Sequence, residues 1–106
     1  MKKKELCYIA YPYRSSTHAG VGKNFQEVMR YARIAWEKGF IPVVPHINSA
    51  AIFGMFDGDD KTITEYDLYL LSRCDRMWVC GYIISRGMQI EIDFCKKNKI
   101  KVEYHA

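Results

Sequence analysis

A chain of 106 residues has the size of one domain, with room for a single hydrophobic core and for a site that is small or shared between subunits. Its formal net charge of +4 gathers in Lys2 to Lys4 and in Lys96, Lys97, Lys99 and Lys101, where solvated ends and a helix macrodipole account for it without a nucleic-acid partner. No apolar run approaches the roughly 20 residues that span a bilayer, and Met1-Lys2-Lys3-Lys4 leads into Glu5 rather than a signal-peptide core, so no membrane association and a cytoplasmic location are expected.

In chain order, Glu5 to Tyr11 is a mostly apolar run bounded by Pro12 and reads as a central strand. A polar, glycine-containing loop is expected through Gly22. From Lys23 to Lys38, Phe25, Val28, Met29, Ala32, Ala35 and Trp36 repeat with helical period opposite Glu27, Arg30, Arg33 and Glu37, and Gly39 ends that helix. Phe40 to Val44 reads as a second strand, closed by Pro45 and His46. Ala50 to Asp60, with Gly54, Gly58 and three aspartates, is the least regular part, with space for a short helical turn before a loop.

Thr62 and Glu65 form a capping-box pattern, after which Ile63, Tyr66, Asp67, Leu70 and Cys74 keep helical spacing up to a third strand, Arg76 to Cys80. A last helix runs from Arg86 to about Asn98, and Ile100 to Tyr104 closes the chain as a fourth strand. Strands alternating with helices predict one α/β domain over 1–106. It is a small Rossmann-like or flavodoxin-like three-layer domain with a mainly parallel sheet of four to five strands. Cys7, Cys74, Cys80 and Cys95 stand singly without C-x-x-C spacing, which favours packed thiols over disulfides or a structural zinc.

The most informative stretch is Cys74 to Glu91, read as a buried strand, a loop and a helix. From Arg86 onward Met88, Ile92 and Cys95 form an apolar stripe, and Glu91 falls on it. An inward carboxylate needs a partner or a task, because burying it alone costs several kcal/mol, roughly. A Glu at the stripe's edge, reaching water or a nearby Arg, is the alternative. Asp67 also lies on an apolar stripe.

Ligands of such sheets bind beyond the carboxyl ends of the strands, where strand order reverses. That rule brings the loop Tyr11 to Arg14 next to the loop Tyr82 to Gly87, with Pro45-His46 beside them. Arg14, Arg86 and helix N-termini then offer donors to an anion such as a phosphate. For His46, a structural place at the strand end and contact with a ligand stay equally open.

Gly22-Lys23 is followed by Asn24 without the spacing of a P-loop, and Gly20-x-Gly22 lacks the third glycine of a dinucleotide fingerprint. His18, His46 and His105 share no ligand spacing, so no metal is expected. No recognised nucleic-acid-binding signature is present.

Several segments, in one order along nearly the whole chain, resemble the nucleoside 2-deoxyribosyltransferase-like superfamily. They are Tyr8 to Arg14, Gly39-Phe40-Ile41-Pro42 with Pro45-His46, Asp67 through Cys74-Asp75, Trp78-Val79-x-Gly81, and Ser85-x-Gly87-x-x-x-Glu91. Within it the chain resembles the nucleotide N-glycosidase branch, and small phage and bacterial proteins also belong to the superfamily.

The resemblance implies three catalytic residues. Glu91 would be the nucleophile at the sugar's C1′, Asp67 the acid near sugar and base, and Tyr8 the hydroxyl that orients Glu91. It further implies a ligand held by Tyr11, Pro12, Arg14, His46, Gly81, Ser85, Arg86, Gly87 and Met88. Ser85 stands where the transferases carry an aspartate, and a neutral hydroxyl tolerates a 5′-phosphate that a carboxylate would repel. Pro12 departs from the phosphate-binding serine of the glycosidase branch.

The expected ligand is a nucleotide or nucleoside, with no cofactor, in a homodimer whose apolar surface includes Trp36, Phe53, Met55, Phe56, Tyr66 and Tyr69. Its compartment would be the cytoplasm, the host's if the chain is phage-encoded. The expected function is cleavage or transfer at the N-glycosidic bond. A protein that binds, senses or sequesters a nucleotide without turnover is the alternative.

Overall fold

The computed structural model describes residues 1–54 and 60–106. Among these the order is β1 (Leu6–Ala10), α1 (His18–Glu37), β2 (Ile41–Val43), α2 (Pro45–Phe53), α3 (Asp60–Leu71), β3 (Arg76–Cys80), α4 (Arg86–Asn98) and β4 (Lys101–His105). The strands form one all-parallel sheet in the order β2-β1-β3-β4. β1 is in register with β3 through Tyr8 opposite Met77 and Ile9 opposite Trp78.

Because side chains alternate across a strand, the central pair feeds two cores. Cys7 and Ile9 of β1 and Trp78 and Cys80 of β3 pack with Val28, Tyr31, Ala32 and Ala35 of α1. On the opposite face Tyr8, Ala10, Met77 and Val79 pack with Leu71 of α3 and with Met88, Ile92 and Cys95 of α4. The fold is therefore a small α/β domain of three layers, consistent with the Rossmann-like or flavodoxin-like class. All four cysteines are free and buried. At the amino ends of the strands Arg76 lies 2.6 Å from Glu5 and 2.7 Å from Glu103, tying together the segment before β1, β3 and β4.

Several expected boundaries move. The strand ends shift by one residue: β1 stops at Ala10, β2 is only Ile41–Val43, and β4 runs to His105. α1 begins at His18 instead of after Gly22, because the Thr17 side chain caps it by accepting from the Gly20 amide at 3.0 Å. Pro45 and His46 do not close β2 but open α2, with Pro45 in the first turn, where its missing N–H costs nothing.

Residues 50–53 of the irregular stretch are therefore helical, and the part of it at residues 55–59 lies outside the described residues. α3 starts at Asp60, so Thr62 sits inside the helix and the expected capping box is not its start. Phe53 and Tyr66 pack edge to face at 5.4 Å and are half-buried, Trp36 and Tyr69 are exposed, and Met55 and Phe56 fall outside the described residues. No helix among the described residues is long and apolar enough to cross a membrane.

Candidate active site

The sheet reverses its winding between β1 and β3, and a cleft of about 710 Å³ opens at their carboxyl ends. Its walls come from the β1–α1 loop (Pro12, Tyr13, Arg14), from α2 (His46, Ser49), from α3 (Thr64, Asp67) and from the start of α4 (Ser85 to Met88). Glu91 forms part of its lining.

Glu91 arrives there through the stripe that builds the core. Met88, Ile92 and Cys95 are almost wholly buried, and Glu91, one turn along the same face, is only 9 % exposed. Tyr8, fully buried on β1, donates its phenolic O–H to Glu91 Oε2. Burial pushes the Glu91 carboxyl up to about 8, the Tyr8 hydrogen bond pulls it down, and the nearby Asp67 charge adds to the rise. Burial, and then the charge of Glu91, hold the Tyr8 phenol well above its ordinary range, so it stays a proton donor.

Asp67 is the second acid. Burial raises its carboxyl to about 6, opposed by a hydrogen bond with Ser49. Ser49 Oγ donates its one proton to the Pro45 carbonyl at 2.8 Å. Among the described residues, Asp67 Oδ1 is buried with no hydrogen-bond partner, the condition in which a polar atom gains most from a ligand donor. Both carboxyls are displaced upward, Glu91 further than Asp67, so near neutrality the proton is favoured on Glu91 and Asp67 favours its charged form.

The rim is mainly basic: Arg14, Lys61 and Arg86 line the cleft and are exposed, beside one exposed acid, Glu65. The amino end of α4 opens there too: Ser85 caps it by accepting from the Met88 amide at 3.2 Å, and Gly87 follows as a residue without a side chain. A helix start with adjacent guanidinium groups is suited to an anion.

The tyrosines of the β1–α1 loop are wedged from two sides. Tyr11 lies beside Gly81, which has φ +83° and whose added Cβ would sit 3.0 Å from Tyr11 Cε1. Tyr13 lies against His46, ring centroids 5.0 Å apart.

The expected trio Glu91, Asp67 and Tyr8 thus meets in space, with Tyr8 behind Glu91 rather than in the cleft lining. Tyr11, Pro12, Arg14, His46, Ser85, Arg86, Gly87 and Met88 all line the cleft. Gly81 does not; it acts from behind by leaving room for the Tyr11 ring. His46 is only 4 % exposed and its Nε2 is 3.2 Å from the Pro12 carbonyl, so it is part of the wall. Within the loop Tyr11 to Arg14 that the sequence placed here, Tyr13 was not singled out, and Ser49, Lys61, Thr64 and Glu65 were missed as polar lining residues. The proline before His46 was the signal for α2, since proline favours the first turn of a helix.

The family model described as Domain of unknown function (DUF7768) matches residues 5–105, from just before β1 to the last residue of β4. The chain belongs to the DUF7768 family. No curated protein matches it. In this DUF7768 chain, no group of three or more His, Cys, Asp or Glu side chains among the described residues could hold a metal ion. The chemistry on offer is that of two carboxyls, Glu91 and Asp67, under a mainly basic rim.

Proposed function

We propose that this DUF7768 protein binds a nucleotide or nucleoside and breaks or exchanges its N-glycosidic bond through Glu91. The observation that carries this reading is the pair of buried carboxyls facing one cleft, Glu91 held by Tyr8 and Asp67 left with an orphan oxygen. A Glu91 oxygen attacks C1′ and the C1′–N bond breaks. Its electron pair leaves with the base, which takes a proton from Asp67. The resulting glycosyl ester passes to water or to a second base.

Attack needs the proton on Asp67, whereas burial favours it on Glu91, at about 8 against about 6. Positive charge developing at C1′ beside Glu91 favours the carboxylate, whose proton passes to solvent, while Asp67 takes one up from solvent before the base leaves. The basic rim of Arg14 and Arg86 and the start of α4 support a 5′-phosphate on the ligand. A homodimer completes the proposal, supported by the exposed run Tyr82, Ile83 and Ile84.

A second reading is favoured by the same proton. A Glu91 that stays protonated in the complex cannot attack, and the protein would then hold a nucleotide without consuming it. Calorimetric titration with the common ribo- and deoxyribonucleosides and their 5′-monophosphates, followed by chromatography of the recovered ligand, separates the two. Free base in the recovered material is expected; tight binding with the nucleotide returned intact selects the second reading, and no binding at all sinks both.

A further inference from the structure

Three consecutive carbonyls of the β1–α1 loop are held by side chains from two different helices. His46 Nε2, on α2, is 3.2 Å from the Pro12 carbonyl oxygen. Asn24 Nδ2, on α1, donates to the carbonyls of Tyr13 at 3.3 Å and Arg14 at 3.5 Å. A carbonyl only accepts, so the His46 contact requires the proton on Nε2.

The His46 ring is also packed, 5.0 Å from Tyr13 and 6.3 Å from Phe25 between centroids, and is 4 % exposed. Burial holds its imidazole down at about 4, against a smaller opposing effect of the Pro12 bond, so the ring is uncharged at neutral pH. One turn further along α2, Ser49 contacts Asp67 of α3. α2 therefore touches both the rim loop and the second acid of the cleft.

We propose that His46 is a positioning residue of the cleft: its Nε2–H, bonded to the Pro12 carbonyl, and its ring, packed on Tyr13, set where the β1–α1 loop presents Tyr13 and Arg14 to a bound ligand. For the ligand this rests on the nucleotide reading above; for the loop it stands on the contacts alone. A residue that merely filled volume would be replaceable by any ring. A residue that positions through a donor is not.

The comparison is between His46→Phe, which keeps a ring and removes the donor, and His46→Gln, whose amide nitrogen reaches as far as Nε2. Should His46→Phe not fold, His46→Asn, too short to reach Pro12, takes its place. Amide exchange is followed at residues 13–16 and at residues 90–95 of α4. Affinity is followed by calorimetry with the 5′-monophosphates of deoxyadenosine, deoxyguanosine, deoxycytidine and thymidine.

His46→Phe is expected to speed exchange at 13–16 by about three- to tenfold, the worth of one hydrogen bond, with α4 unchanged. It should weaken the best-bound nucleotide by a similar factor, and His46→Gln should restore both. Unchanged exchange at 13–16 in His46→Phe, or a His46→Gln no better than His46→Phe, overturns the proposal. If the unaltered protein binds none of the four nucleotides, the nucleotide reading falls while the exchange arm still decides the role of His46 in the loop.

Discussion

At the scale of single residues, opposite titrations meet in one cleft. Glu91 and Asp67 have carboxyls raised by burial, to about 8 and about 6. Groups of this kind contribute stability that is fully present below their unfolded-state values and is lost as pH rises through the folded ones. Between pH 5 and pH 9 the melting temperature should therefore fall more steeply for the native protein than for Glu91→Gln. The difference should reach several degrees, roughly, as expected when one buried carboxyl is kept neutral. Equal slopes would show that Glu91 ionises as freely in the fold as in the unfolded chain.

His46 works in the other direction: lowered to about 4 by burial, it contributes stability present above its unfolded value of 6.5 and lost as pH falls through 4. His46→Gln should accordingly flatten the acid side of the same stability profile between pH 6.5 and pH 4. An acid limb unchanged by that substitution would contradict a buried, uncharged ring.

At the scale of elements, backbone conformation gives paired predictions of opposite sign. Gly81 at φ +83° sits where an added Cβ would press on the Tyr11 ring, so Gly81→Ala should destabilise by about 1–3 kcal/mol and displace a wall of the cleft. Lys99 closes α4 at φ 58°, a left-handed position that favours glycine. Lys99→Gly should raise stability by about 0.5–1 kcal/mol in thermal or urea melts. Loss of stability at Lys99→Gly would mean that its side chain matters more than its backbone.

The same elements show what was legible in the sequence. α4 could be read because its core stripe and its polar face are cleanly separated, and that separation also exposed Glu91 as an anomaly. α2 could not. It buries Pro45, His46, Ser49 and Ala50 while leaving Ile47 and Ile52 exposed, so its apolar residues mark the wrong face. The first turn of α1 was hidden by Gly20 and Gly22, whose low helix propensity outweighed the cap at Thr17. At Gly20 the glycine has a packing reason, since an added Cβ would lie 1.9 Å from Ser15 Oγ. The acids of the site were therefore visible from periodicity, whereas Ser49 and the role of His46 depended on a helix that periodicity could not find.

At the scale of the whole molecule, strand order places the cleft and sidedness gives it polarity: acids in the floor, guanidinium groups on the rim. Beyond the rim, Tyr82 and Ile83 are 92 % and 71 % exposed, a cost to solubility that a second copy would remove. Sedimentation at micromolar concentration should give a dimer, and Tyr82→Ser combined with Ile83→Ser should shift it toward monomer. A monomer throughout would place the complete site within one chain.

Attack by Glu91 on the sugar of a bound nucleotide is the step proposed for this cleft. Free base released from deoxynucleoside 5′-monophosphates at pH 7 tests it most directly when the native protein is compared with Glu91→Gln. Release by the native protein is expected, with a loss of at least ~10³-fold in the variant, as for removal of other enzymic nucleophiles. Release at undiminished rate by Glu91→Gln, or nucleotide bound and recovered intact by the native protein, would contradict it.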